Sequence, residues 1–324
     1  HQASPSPKHA YTEGDMRRQR TLLFAAAEAT AGRRQRVCVV QGASRGLGLE
    51  LTRQLAARGN VVFATCREPV RAEALQALRA ELPNNIAVLR LDATDAASVK
   101  AAAAEFAAHP LSSSSASSSS SGVISAAVDL LVNTAGVLED KGRGIVPERS
   151  LGQVDAAAVA ASFATNALGP LLVAQAFAPL LRRAATLSAG ASENEAPAED
   201  SGSGSSSLVQ NRCHARAIFY SARVGSIGDN NSRGGWYAYR GSKAALNQFV
   251  RCMAHELRKH DICCVALHPG TVDTDLTRAF AKARAKYDVQ TVEDAVRNHL
   301  EIIDGLSMED TGTFLDWRRT QVPW

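Results

Sequence analysis

Tyr239 and Lys243 stand four residues apart in the run Gly234-Gly235-Trp236-Tyr237-Ala238-Tyr239-Arg240-Gly241-Ser242-Lys243-Ala244-Ala245-Leu246. On a helix, side chains at i and i+4 share a face, so a phenol and an ammonium at this spacing can serve one site. A neighbouring positive charge favours phenolate and lowers the tyrosine pKa, which suits a phenol to proton transfer near neutral pH. The same spacing also occurs on ordinary solvated helix faces. The pair therefore gains meaning only from what accompanies it.

A second motif lies near the other end of the chain. Arg36-Val37-Cys38-Val39-Val40 is a short apolar run of strand type, and it meets Gln41-Gly42-Ala43-Ser44-Arg45-Gly46-Leu47-Gly48. Leu47, Leu51 and Leu55 then recur at helical spacing, with Gly59 as a stop signal. Strand, glycine turn and helix in that order form the context a dinucleotide fingerprint requires. The glycines allow a tight turn and close backbone approach, and the helix N-terminus faces the pyrophosphate. Their spacing here is Gly-x-x-x-Gly-x-Gly rather than Gly-x-Gly-x-x-Gly.

Together the two motifs resemble the short-chain dehydrogenase/reductase family, and further matches follow in that family's order from about Val37 to Trp324. Gly42, Ser44, Arg45, Gly46, Leu47 and Gly48 match its cofactor cradle. Asp92 and Ala93, in Leu91-Asp92-Ala93-Thr94, match its adenine-contacting turn. Asn133, Ala135 and Gly136, in Asn133-Thr134-Ala135-Gly136, match the segment that steadies the central sheet beside the cofactor. Pro269, Gly270, Val272 and Thr274 match the loop that holds the nicotinamide carboxamide.

The resemblance implies that Tyr239 donates a proton to a carbonyl oxygen as hydride arrives. It implies that Lys243 lowers the tyrosine pKa and binds the nicotinamide ribose, and that Asn166 links the lysine to solvent through water. Tyr239 and Lys243 thus belong to both the catalytic and the cofactor sets. One position departs from the pattern. The catalytic serine of the family stands three residues before a glycine, and here that slot, before Gly225, is Ala222. Ser226 is the favoured substitute; Ser221, expected on the opposite face, and a site without a serine are the alternatives.

Where a carboxylate would hold the adenosine ribose and repel a 2′-phosphate, the second strand ends Ala64-Thr65-Cys66-Arg67. Arg67 and Arg45 offer two guanidinium groups for a phosphate, so NADP(H) is expected over NAD(H). The run Gly225-Ser226-Ile227-Gly228-Asp229-Asn230, the segment around Trp236, and Pro323-Trp324 resemble the C-factor and sniffer-type carbonyl reductase branch. The expected activity is NADPH-dependent reduction of a small-molecule carbonyl to an alcohol. A cofactor-binding sensor or signalling protein with little turnover is the second reading, motivated by Ala222.

These residues must be positioned by alternating strands and helices. Strands are expected at Val37–Val40, Val61–Thr65, Ala87–Leu91, Leu130–Asn133, Ala217–Ser221, Cys263–Leu267 and Thr313–Leu315. Long helices are expected around Val154–Arg183 and Tyr239–Lys259. The fold class is α/β, a Rossmann-type doubly wound parallel sheet in a single domain over residues 37–324, with two low-complexity loop insertions. The insertions are the serine run 112–121 and the Ser-, Gly- and Ala-rich stretch 188–207, both of flexible-linker composition. Residues 1–36 form an N-terminal extension, disordered or targeting.

Composition limits the rest. An apolar content of 45% suffices for a core, and a net charge of +4 with no basic run among aromatics gives no basis for nucleic-acid binding. No apolar stretch approaches membrane-spanning length, so no membrane partner is expected. The six cysteines form no Cys-x-x-Cys pair and read as small buried residues in a reducing compartment; no metal site is expected. The cytoplasm is the expected location. A plastid or mitochondrion is the alternative, because the leader around Met16-Arg17-Arg18-Gln19-Arg20 is rich in arginine. A homodimer or homotetramer built on the long helices is expected from the resemblance. Arg278, Lys282 and Lys286 share one helical face where the family keeps a substrate lid.

Overall fold

Valine-, isoleucine- and leucine-rich runs become the strands of one sheet, because a parallel sheet covered on both faces needs apolar residues on both. The computed structural model describes residues 35–112, 126–194, 213–230, 234–278 and 288–324. Its strands are Val37–Gln41 (β1), Val61–Cys66 (β2), Ile86–Arg90 (β3), Leu130–Asn133 (β4), Ala215–Tyr220 (β5), Ile262–His268 (β6), Thr271–Val272 (β7), Val289–Gln290 (β8) and Phe314–Asp316 (β9). Seven of them form a parallel sheet in the order β3-β2-β1-β4-β5-β6-β9. Chain order reverses beside β1, where β4 pairs with it. The crevice outside the carboxyl ends of the strands at such a switch point is the usual ligand site of this architecture.

Among the described residues, three helices cover each face. Ala96–Ala108 (α3), Gly169–Asn194 (α5) and Tyr237–Leu257 (α6) pack Phe106, Phe177 and Val250 against Phe63 and Phe219. Gly46–Ala57 (α1), Glu73–Glu81 (α2) and Val292–Asp304 (α8) place Leu51, Leu55, Leu75 and Leu300 on the other face. Among the described residues there are also Ala156–Phe163 (α4), packed on α6, and the short Asp275–Arg278 (α7) after β7. The seven expected strands are all present, with ends that move by one or two residues.

Three expectations meet a different outcome. The helix α5 runs to Asn194, so residues 188–194 of the stretch read as a linker are helical. Ser112, read as the start of the first insertion, is buried in a 3₁₀ turn, Pro110–Ser112, where its hydroxyl donates to His109 O at 2.7 Å. The continuous helical run Ala156–Ala189 is long and apolar enough to cross a membrane by length and composition. Within this run Val173, Phe177 and Leu181 are buried in the core. The rest of the two insertions, residues 1–34, and Lys282 and Lys286 lie outside the described residues.

Candidate active site

The entry to α6 sets the position of Tyr239. Gly235 and Trp236 both take positive φ, 85° and 55°, turning the chain sharply into the helix. A side chain on Gly235 would meet Glu148 O at 2.7 Å, so glycine is required there. Glu148 secures the turn. Its carbonyl accepts the Trp236 N–H at 2.7 Å, and its buried carboxylate accepts the Ala238 N–H at 3.2 Å. Lacking a Ser, Thr, Asp or Asn at its cap, the helix takes a carboxylate from a distant loop for the same purpose.

One helical turn on, the Lys243 ammonium is buried and donates to Tyr220 O, the last carbonyl of β5, at 2.7 Å. It stands 5.9 Å from the centroid of the Tyr239 ring. Asn166 lies in a five-residue π-helical segment, Ala164–Leu168, between α4 and α5. Such segments re-aim side chains and recur at functional sites. Its amide accepts the Val137 N–H at 2.7 Å and donates to Val137 O at 2.8 Å and Ser242 Oγ at 3.0 Å. Gly136 binds the group together: a side chain there would stand 3.5 Å from both Asn166 Oδ1 and Lys243 Nζ. Tyr239, Lys243, Asn166 and Gly136 thus meet at the carboxyl ends of β4 and β5.

Protonation in this cluster is set by burial. The lysine does not depress the Tyr239 pKa here, contrary to the sequence expectation. Desolvation disfavours phenolate and pushes the group up to about 12, although part of the ring surface stays open. Desolvation also brings Lys243 down to about 8. The ammonium turns to a backbone carbonyl rather than to the phenolic oxygen.

The serine question also takes a definite form. Ala222 occupies the expected slot and is buried. Ser221 Oγ donates to Asn247 Oδ1 at 2.6 Å, in the interior of α6. Ser226 Oγ donates to Pro323 O and accepts the Asp229 N–H at 2.9 Å. Its single proton is therefore committed to the chain near Trp324, not offered to a substrate.

A link that sequence reading missed joins this cluster to the next loop. Tyr220 Oη lies 2.9 Å from His299 Nδ1, and His299 Nε2 lies 3.2 Å from Pro269 O. A carbonyl only accepts, so Nε2 carries the proton and Nδ1 accepts from Tyr220. The loop Pro269–Thr274 is thereby tied to the strand whose carbonyl holds Lys243. Burial holds both His268 and His299 down at about 4, so both imidazoles are neutral near pH 7. Neither histidine nor Glu148 has a local motif; each acts across the fold.

The residues expected at a nucleotide form one continuous edge. Gly42 has φ +89°, and a side chain there would meet Ala135 N at 2.8 Å; one on Gly48 would meet Gly42 O at 2.3 Å. The glycines let the loop lie flat against β4 and α1. Arg45 precedes α1, which has neither a capping side chain nor an acidic residue in its first turn. Such an N-terminus suits a phosphate. Thr274 approaches Gly46 from the far side, and Arg45 reaches Asp275 at 4.0 Å. Ser44 and Leu47 lie between these points, half-buried.

In the turn expected to meet an adenosine, desolvation would raise Asp92, but hydrogen bonds from Thr94 and the charges of Arg67 and Arg143 outweigh it and hold the carboxyl low. Arg67, just past β2, is exposed, and Ala93, in the turn past β3, is buried. Among the described residues, Thr65 Oγ1, both amide atoms of Asn133 and His268 Nδ1 are buried without a partner, all at carboxyl ends of strands. Unmatched buried polar atoms along this edge, with the glycine cradle, fit a bound dinucleotide. No cluster of metal-ligating side chains is found among the described residues.

Comparison with known proteins agrees with this geometry. Residues 36–189 and 222–285 match the family model for short chain dehydrogenases. The C-signal protein of Myxococcus xanthus is 38% identical over 202 residues, 62% of this chain and 96% of its own. The NADPH-bound carbonyl reductase from chicken fatty liver is 32% identical with a TM-score of 0.70, covering 92% of this chain and 98% of its own. The carbonyl reductase Sniffer of D. melanogaster, 24% identical with a TM-score of 0.69 over 90% of this chain and all of its own, shares the fold. The chain belongs to the short chain dehydrogenase family of oxidoreductases and, within it, to the branch that holds the C-signal protein and the carbonyl reductases.

Proposed function

We propose that this protein reduces a small-molecule carbonyl to an alcohol, with NADPH as the hydride source. The observation that carries the reading is the convergence of Lys243 and Asn166 on Gly136, with the Tyr239 ring 5.9 Å from the Lys243 ammonium, at the end of a glycine-lined edge. NADPH, when bound, supplies the hydride. Tyr239 holds the proton that a developing alkoxide requires, and its raised pKa keeps that proton in place until negative charge builds beside it. Lys243, cationic below about pH 8, supplies positive charge next to the same point. Asn166 fixes the Val137 backbone and, through Ser242, whose hydroxyl donates to Tyr239 O at 2.8 Å, the first turn of α6.

Arg45 and Arg67 are the groups proposed to hold a 2′-phosphate; β2 itself ends at Cys66 without a carboxylate, and Glu68 just beyond it pairs with Arg71 at 3.2 Å. The relative from chicken liver carries NADPH in its crystal structure, which supports the same choice. A second reading, a cofactor-binding sensor with little turnover, is favoured by Ala222 and by the commitment of Ser226 to Pro323. One experiment addresses both. Nicotinamide absorbance is followed with NADPH or NADH over a panel of quinones, aldehydes and ketones, for the wild type and for Arg45→Ala/Arg67→Ala. The expected result is turnover on part of the panel, with NADPH affinity alone reduced in the variant. NADPH binding without turnover on any carbonyl supports the sensor, and equal losses for both cofactors contradict the role given to the arginines.

A further inference from the structure

Tyr220, the last residue of β5, is engaged through both its main chain and its side chain. Its backbone oxygen accepts from the Lys243 ammonium at 2.7 Å. Its ring lies in the apolar cluster on the α1, α2 and α8 face of the sheet, and its hydroxyl meets His299 Nδ1 at 2.9 Å. The two rings pack edge to face, with centroids 5.5 Å apart and planes at 73°. His299 is fully buried, on the same side of α8 as Val296, Leu300 and Ile303. Its Nε2 holds Pro269 O at 3.2 Å.

Pro269 is where the chain leaves the sheet for the loop beside the nucleotide edge. β6 ends at His268, and a proline has no N–H to continue a ladder, so its oxygen is the handle the backbone offers there. Gly270 follows with φ +81°, and a side chain on it would meet Gln290 Nε2 at 2.6 Å and Trp317 Cδ1 at 2.8 Å. β7 then pairs with β8, and the Asp273 N–H donates to Gln290 O at 3.0 Å. At the far end Thr274 reaches the glycine cradle, its Cγ2 3.6 Å from where a Gly46 side chain would stand. The course of the loop is thus set from behind by α8, β8 and Trp317, and His299 holds its first residue. An apolar pair of the same shape in place of Tyr220 and His299 would fill the core about as stably, because a buried hydrogen bond has a small net value. It would not hold Pro269 O.

We propose that Tyr220 and His299 are positioning residues for the nicotinamide half of the cofactor. Through its carbonyl Tyr220 sets the Lys243 ammonium, and through His299 it sets the loop Pro269–Thr274. One residue of β5 therefore places both groups expected to meet the nicotinamide ribose and carboxamide. The phenol donates to Nδ1, which keeps the imidazole proton on Nε2 and aims it at Pro269. The pair acts from behind the loop and not on the substrate. The proposal rests on NADPH as the cofactor, whose adenosine half would lie against the glycine cradle and Arg67, away from this pair.

The test separates the two halves of the cofactor. Affinities for NADPH and for 2′-phospho-ADP-ribose, which lacks the nicotinamide, are measured by calorimetry on the whole chain. The wild type is compared with His299→Leu, His299→Gln and Tyr220→Phe. His299→Leu is expected to weaken NADPH about tenfold and to leave 2′-phospho-ADP-ribose within about twofold of the wild type. Tyr220→Phe keeps the backbone oxygen for Lys243 and loses a single hydroxyl. It should shift NADPH affinity in the same direction, and it carries the test if the leucine variant does not fold. His299→Gln, whose amide can accept from Tyr220 and donate to Pro269, should recover most of the loss. Equal losses for the two ligands, as a general loosening of the fold would give, overturn the proposal. So does an unchanged NADPH affinity in His299→Leu or Tyr220→Phe, or a glutamine variant as weak as the leucine one. A wild type that binds neither ligand overturns the NADPH reading itself, and this proposal with it.

Discussion

Burial gives Tyr239 and Lys243 opposite shifts, and the two together define a working range. With the phenol at about 12 and the ammonium at about 8, the site near neutral pH holds one proton donor and one cation. The ammonium is lost as pH rises through its depressed pKa, so the rate of carbonyl reduction is expected to fall across about pH 8 and to hold below it. A pH–rate profile flat through that value contradicts the role given to Lys243. Ala222 and Ser226 make a second pair. Ala222→Ser supplies a hydroxyl where the family keeps one and should raise turnover by up to about tenfold, since a donor without supporting neighbours is imperfectly aimed. Ser226→Ala should cost about 1 kcal/mol in a denaturant melt, through the lost bonds to Pro323 and Asp229, with kcat nearly unchanged. A loss of turnover by ~10² or more at intact stability would return Ser226 to catalysis.

At the scale of elements, the site depends on irregular joints rather than on long helices. The spacing of Tyr239 and Lys243 was legible because helix geometry is local. The π-helical segment at Asn166 was not, because its apolar pattern runs on unbroken through α4 and α5. Nor was the Glu148 cap, whose carboxylate reaches Ala238 from ninety residues upstream. The chain Tyr220–His299–Pro269 is equally nonlocal, and it carries a prediction. His268 and His299 have pKa values of about 4 in the folded protein against an ordinary 6.5. Between those values the unfolded chain binds protons that the folded one refuses. Stability is therefore expected to be intact above about pH 6.5 and to fall as pH drops toward 4. In His299→Gln, whose amide can still accept from Tyr220 and donate to Pro269, the fall should be shallower. An acid-stability slope identical to that of the wild type contradicts a neutral, buried His299.

For the whole molecule, alternating apolar runs and helical periodicity foretold the strands and their parallel arrangement, while the residues expected at a nucleotide came from the family resemblance. The direction of Ser226 was not foretold, because it follows from the return of the chain past β9 to place Pro323 and Trp324 beside residues 226–228. Trp324 stacks on Phe314 and lies under the Arg251 guanidinium, so the tail is part of the sheet's packing. The linker reading of 188–194 missed the helix because serine, glycine and alanine there continue a long amphipathic element. The central claim, that this edge delivers hydride while Tyr239 delivers the proton, is tested most directly with NADPH deuterated at the transferring position. A carbonyl identified in the substrate panel is reduced by the wild type and by Tyr239→Phe in single turnovers, with NADPH affinity measured in parallel. The account predicts an alcohol carrying deuterium at the former carbonyl carbon, formed ~10²-fold or more slowly by the variant at near-normal NADPH affinity. An alcohol without deuterium, or a Tyr239→Phe protein as fast as the wild type, would contradict it.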